Sequence, residues 1–502
     1  MLDARMRTTP ASRNHLLFET GHLRQDLRRR SVRGALVTML GQVGRFVIQF
    51  AGVATLARLL LPADFGLFGK TVALTGFITV IQTGGLSLAT VQRARITHEQ
   101  ISMLFWLNTA LGAIAAGMIA ALSPVMAWFY EDPRVLWLGL ALAGPVIISG
   151  LAVQHDALMQ RQMRFTAIAV INIITLITGF AAAILSAWHG AGFWALAVQQ
   201  YVSSLTLLLL LLAFCRWLPG LPRRGTGARP MVKIGANQTG FNLLTFANRN
   251  FDNVLIGRFV SDAELGFYNL AYRLLLLPLY QINGPISGVV IPALSRLQDV
   301  PERYARFYYR AIGAIIFVGM PIVCFLLVDA QSVIFLVFGS TWLPAVPIIQ
   351  ALGVAAFVGT FNVAWGWVYG SLGTTDRQLR WSLIGTPITL VSFILGLPWG
   401  AFGVAVSFSA TRLLLTLPSL IYCIHGTPIR IQTLLLTMLR PATAAAIAGA
   451  ALWAIQSNVS HWPAGWIGLD VLIYGTVYLT AWVIMPDGRA QLRQFFALLD
   501  EL

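Results

Sequence analysis

Apolar runs of about 20 residues recur along the whole chain, and that is the length an α-helix needs to cross the hydrocarbon core of a bilayer. Fourteen such runs are legible, at about 34–58, 65–91, 101–129, 135–158, 166–187, 191–214, 233–257, 264–294, 307–328, 345–370, 381–398, 400–424, 439–458 and 466–485. They are continuously apolar rather than alternating, which excludes a transmembrane β-barrel. Charged residues make up 11% of the 502, against about 25% in a soluble globular protein, so there is too little charge to cover a water-facing surface. The sequence predicts an all-α integral membrane protein with about 14 transmembrane helices.

The formal net charge of +16 would suit nucleic acid if it formed a patch. The basic residues instead form short clusters between apolar runs, so the expected partner is membrane lipid and not nucleic acid. With the amino terminus placed in the cytoplasm, 27 of the 35 basic residues fall on that side and only Arg58, Arg134 and Arg258 on the other. This asymmetry predicts a multi-pass protein with both termini cytoplasmic, a basic arm at 1–32 and a tail at 486–502. The three cysteines, Cys215, Cys324 and Cys423, stand far apart with no Cys/His cluster, so no metal site or disulfide is expected. Neither a P-loop, an HExxH, a GxSxG nor a long extramembrane loop is present, so neither a cofactor nor an enzyme activity is expected. Trp128, Tyr130, Trp137, Trp188, Trp342, Trp462 and Trp466 cluster at span ends and read as interface anchors.

An internal repeat appears at an offset of 200. Arg58, Ala63, Asp64 and Gly66 pair with Arg258, Ala263, Glu264 and Gly266, and Gly84-Gly85 pairs with Gly284-Pro285. Two pseudo-symmetric six-helix bundles are therefore expected, at 33–214 and 233–424, joined by a cytoplasmic linker at 215–232. Two further helices at 425–485 complete the chain. Because six is even, both copies enter the membrane from the same side, as in transporters built from parallel repeats.

Ionisable residues inside a span cost about 2.5–3.5 kcal/mol each and usually face a protein or water interior. Span 7 carries Gln238, Asn242, Thr245, Arg249 and Asp252 on one helix face, and span 1 carries Gln42, Arg45 and Gln49 at equivalent positions. Arg273, Arg412 and Lys70 are further cations at membrane depth. The expectation is a cationic cleft formed by Arg45, Arg249, Arg273, Arg412 and Lys70, lined by Gln42, Gln49, Gln238 and Asn242. Such a cleft suits a phosphate-bearing anion, which Arg grips bidentately. Each cation also has a structural alternative: Arg249 pairing with Asp252 along its own helix, or Lys70 reaching for the interface. Asp252, the deep carboxylate, is the candidate for binding a coupling ion.

The run Ala57-Arg58-Leu59-Leu60-Leu61-Pro62-Ala63-Asp64-Phe65-Gly66-Leu67-Phe68, followed by Gly84-Gly85-Leu86, resembles that of the polysaccharide (O-antigen and exopolysaccharide, Wzx-type) flippases. These belong to the multidrug/oligosaccharidyl-lipid/polysaccharide exporter superfamily, and the resemblance covers about residues 30–425. It implies alternating-access flipping of polyprenyl-pyrophosphate-linked oligosaccharide units across the bacterial inner membrane for exopolysaccharide or lipopolysaccharide biosynthesis. It also implies cooperation with polysaccharide polymerase and export machinery, and functional cavity cations for which Arg45, Arg249 and Arg273 stand here. Cation-coupled relatives carry an acid in the first helix, which span 1 lacks. A multidrug/cation antiporter of the same superfamily and an integral-membrane glycan polymerase are the alternatives. The first would need acids in its cavity and the second a long external loop.

Overall fold

Side-chain caps start helices at Thr97, Asp132 and Ser261. At the tightest turn Glu131 adopts a left-handed conformation (φ 53°) that stops one helix, and Asp132 then caps the next by accepting the Arg134 N–H, with Pro133 at the first helical position. The computed structural model describes residues 27–83, 87, 90–91, 96–222, 229–458, 466–485 and 488. The expected arm up to residue 26, the Gly84-Gly85 pair, Trp462 and nearly all of the tail lie outside the described residues. No strand occurs among the described residues, and the chain divides into two units, Met1–Arg258 and Phe259–Leu502.

The first unit contains α1 (Leu27–Leu59), α2 (Pro62–Thr83), α3 (His98–Tyr130), α4 (Pro133–Arg161), α5 (Phe165–Trp188), α6 (Trp194–Cys215) and α7 (Arg229–Phe259, to its penultimate residue). A capping box between Thr97 and Gln100 starts α3. α3 packs along α4 and α5 along α6, with α1 against α5 and α2 against both α3 and α4. Small residues permit the close approach: a Cβ on Gly52 of α1 would overlap the Phe180 ring of α5.

The expected boundary was the linker at 215–232, but the division falls at the end of α7. Within the first unit, the Phe246 ring of α7 meets Phe77 of α2 edge-on at 5.0 Å, and Arg258 pairs with Glu131. Nor is the linker loose at its start. Trp217 is fully buried against Phe105 and His155 and donates its indole N–H to His98 Nδ1 at 3.2 Å, while the Ser102 hydroxyl accepts the Gly220 N–H.

The second unit holds α8 (Asp262–Leu297), α9 (Pro301–Val328), α10 (Ala330–Val337), α11 (Val346–Gly359), α12 (Val363–Ser371), α13 (Thr375–Gly396), α14 (Gly400–Ile424), α15 (Ile431–Asn458) and α16 (Ile467–Ile484). α8 lies against α9, α11 and α12, and α15 joins the unit through α9. The tenth apolar run is not one helix: it breaks at Thr360–Asn362, where the Thr360 hydroxyl bonds back to the Phe357 carbonyl. Such local side-chain bonds compete with helix continuation. Trp342, expected at the interface, is instead fully buried in the short turn before α11, edge-on to Phe267, and Tyr130 is also buried. Trp128, Trp137, Trp188 and Trp466 are exposed.

One contact occurs in both units. Asp64, in the first turn of α2, lies beside Gly192 (φ 55°) between α5 and α6. Glu264, its repeat partner in the first turn of α8, lies beside Gly400 (φ 68°), the first residue of α14, and accepts the Ala401 N–H at 2.8 Å. A side chain at either glycine would suffer both the backbone conformation and the facing carboxyl. Ten described stretches are long and apolar enough to cross a membrane, one of them, Thr375–Ile424, holding both α13 and α14.

Candidate functional site

Glycines decide which way the polar face of α1 points. Gly41, Gly44 and Gly52 turn toward Ala169, Ile173 and Phe180 of α5. With roughly 100° per residue, Gln42 stands about 100° round from Gly41, and Arg45 lies at the edge of the packed face, about 20° from Gly52. Arg45 is exposed, and Gln42 and Gln49 are half-buried. On α7 the stripe has the same character: Arg249 is exposed, Asn242 and Thr245 are half-buried, and the Gln238 side chain lies outside the described residues. Asp252 is 3% exposed, and its Oδ1 accepts the Asn253 N–H at 2.8 Å. In the second unit Arg273 is exposed on α8. Arg412 on α14 is half-buried, with its guanidinium 5.1 Å from the Phe408 ring centre.

Lys70 does not sit as an open cleft cation. Packing of α2 against α3 and α4 buries it to 4% side-chain exposure, and its Nζ lies 2.8 Å from Asp132 Oδ2. A buried ammonium requires such a partner, and the pair ties α2 to the turn between α3 and α4. The Tyr130 hydroxyl donates to the Lys70 carbonyl at 3.0 Å. Arg134 grips the same carboxylate through Nε and Nη2, at 3.0 and 2.9 Å. Burial alone would raise the Asp132 carboxyl, but the hydrogen bonds from Arg134 and Lys70 outweigh it and hold it at about 2. Beside this knot Arg258 Nη2 meets Glu131 Oε1 at 2.6 Å.

Sequence reasoning saw Arg134 and Arg258 only as outer-side charges and missed this cluster. The available signal was the pair of adjacent acids, Glu131-Asp132, in a chain with few of them. A second polar network, also missed, links Asn108 to Gln154 at 3.2 Å and Gln154 to the Thr90 hydroxyl at 2.8 Å, while Arg161 donates to the Thr90 carbonyl. No group of three or more metal-ligating side chains occurs among the described residues.

What the arrangement offers chemically is a pair of helices, α1 and α7, each presenting an exposed guanidinium flanked by amide side chains partway along a mostly apolar element. Such groups grip an anion through several directed N–H bonds and perform no covalent step.

Residues 55–347 match the family described as polysaccharide biosynthesis protein. The lipopolysaccharide biosynthesis protein WzxC of Escherichia coli is 24% identical over 401 residues, covering 78% of this chain and 81% of that protein. The teichuronic acid biosynthesis protein TuaB of Bacillus subtilis is 26% identical over 350 residues, covering 69% and 72%. Among solved structures, the lipid II flippase MurJ in an inward closed conformation superimposes with a TM-score of 0.72 at 14% identity, over 90% of this chain and 98% of that one. A multidrug transporter of the MATE family in its inward-facing conformation gives 0.59, also at 14% identity, over 82% and 98%. These two likenesses establish the fold.

Proposed function

The chain belongs to the polysaccharide biosynthesis protein family, and from that premise we propose that it flips polyprenyl-pyrophosphate-linked oligosaccharide units across the bacterial inner membrane by alternating access, as a transporter and not an enzyme. The observation that carries this reading is the exposure of Arg45 and Arg249 in the middle of their helices. An arginine held at membrane depth without being buried in packing is suited to a hydrated path, and a pyrophosphate presents the paired oxygens that a guanidinium fork matches. Arg273 is the candidate cation of the second unit; Arg412, stacked on Phe408, is the weaker one.

In this reading α1, α7 and α8 span the membrane alongside the more apolar helices, giving fourteen spans with both termini cytoplasmic. Their polar stripes lower the hydropathy of α1 and α7 because those faces serve the cargo. A drug/cation antiporter is disfavoured, since the exposed mid-helix charges are cationic. The relatives' names connect them to lipopolysaccharide and teichuronic acid biosynthesis, which supports polymerase and export machinery as downstream partners.

The test is reconstitution. Purified protein in liposomes bearing a lipid-linked oligosaccharide on one leaflet should expose that oligosaccharide to an enzyme or lectin on the other side, well above protein-free liposomes. Equal exposure in both preparations would defeat the proposal.

A further inference from the structure

Two buried carboxyls meet where α9, α10, α15 and α16 come together, in a part of the second unit that contributes no residue to the proposed cargo path. Asp329 occupies the junction between α9 and α10 and is 2% exposed; Asp470, in the first turn of α16, is fully buried. Gln456 near the end of α15 donates its Nε2–H to Asp329 Oδ1 at 3.1 Å. The second oxygen of Asp329, Oδ2, is sealed from solvent and accepts no hydrogen bond, while the Asp470 carboxyl lies within hydrogen-bonding reach of Asp329. A buried acceptor without a donor, facing a second carboxyl, is the place for a proton: two carboxylates in contact in a low-dielectric site cannot both stay ionised.

We propose that Asp329 and Asp470 form a proton-binding site in which one proton is shared between the two carboxyls and holds α15 and α16 against the end of α9. The proton forms an O–H bond on one carboxyl and is donated to the other, so the occupied pair carries one negative charge. Its release leaves two facing negative charges and loosens the junction. Of the other titratable groups on the packed elements, Cys324 on α9 and Tyr474 on α16 are directed at the Ala445 carbonyl one turn deeper, and Tyr478 on α16 at the Phe317 carbonyl. The ionisable residues of α9 from Glu302 to Arg310, and Arg440 on α15, lie toward the opposite ends of those helices; Ser332 on α10 and Gln456 are neutral. His461, between α15 and α16, lies outside the described residues. Burial first, and then the Asp470 charge, push the Asp329 carboxyl up to about 6 against the Ser332 and Gln456 hydrogen bonds. The site therefore responds in the range where outer-side acidification occurs, and under the proposed topology it lies on the outer side.

The sign follows from linkage. An acid whose folded pKa is raised keeps a proton that the unfolded chain gives up, so the stabilisation is full at low pH and is lost as pH rises through about 6. The full-length protein in detergent should show a thermal midpoint that falls by roughly one to two degrees between about pH 5 and about pH 8. Asp470→Asn and Asp329→Asn should flatten that profile and melt above the wild type at the alkaline end. Independently of any variant, infrared spectra of the wild type should show a protonated-carboxyl band that disappears as pH rises through about 6. Three results would overturn the assignment: parallel pH profiles in all three proteins, no titrating carboxyl band, or sodium or calcium restoring the alkaline midpoint of the wild type alone, which would make the ligand a metal cation. None of these readouts involves transport, so they stand or fall separately from the flippase reading.

Discussion

Arg249→Ala and Arg45→Ala should each reduce translocation of a pyrophosphate-linked oligosaccharide by roughly ten- to a hundredfold while leaving the amount of membrane-inserted protein unchanged. Each guanidinium supplies charge-assisted hydrogen bonds worth about 1.5–3 kcal/mol apiece, and tenfold corresponds to about 1.4 kcal/mol. Both side chains are exposed, so truncation creates no cavity, which separates a cargo role from a packing role. The lysine substitutions, Arg249→Lys and Arg45→Lys, keep the charge but lose the planar fork, and should retain partial activity. The readout is surface polysaccharide in cells, alongside the liposome assay, normalised to inserted protein. Full activity in both alanine variants would remove the cationic path.

Lys70→Ala should have the opposite signature: loss of folded protein rather than selective loss of transport. It leaves Asp132 held by Arg134 alone at the turn that joins α3 to α4, and the lost charge-assisted hydrogen bond costs about 1.5–3 kcal/mol. The pH dependence comes from Asp132. Its carboxyl is depressed to about 2 from an ordinary 3.8, so its contribution is present above about pH 4 and is lost as pH falls through about 2. Thermal unfolding of Lys70→Ala and Asp132→Asn at neutral pH measures this. Midpoints equal to that of the wild type would show that the pair does not hold the turn.

The contrast between Arg45 and Lys70 shows how much of the site was legible in the sequence. Both read as cations at membrane depth, and hydropathy treats them alike. What separates them is tertiary: Lys70 finds a carboxylate 62 positions away, whereas Arg45 stays exposed at the edge of the face that α1 packs on α5. The glycine spacing was visible, but the helix it faces was not. The longer apolar runs located their helices to within a few residues, as with 166–187 and Phe165–Trp188, because bilayer thickness fixes both the length and the composition of a span. Hydropathy is silent on backbone hydrogen bonding, so the break at Thr360–Asn362 inside the tenth run was invisible. The repeat pointed to Asp64 and Glu264 as equivalent, and both lie at positive-φ glycines. No periodicity could join Asp329 to Asp470, whose pairing depends on how α15 and α16 dock.

In the flippase reading, the polar stripes of α1 and α7 line a hydrated path for a pyrophosphate-bearing lipid. Single cysteines at these stripes, Gln42→Cys and Asn242→Cys, test it most directly in native membranes. Both should react with a membrane-impermeant thiol reagent, and a pyrophosphate-linked oligosaccharide lipid should slow that reaction where the corresponding neutral lipid does not. Cysteines that stay unreactive from both sides of the membrane, or that the pyrophosphate lipid leaves equally reactive, would contradict the account.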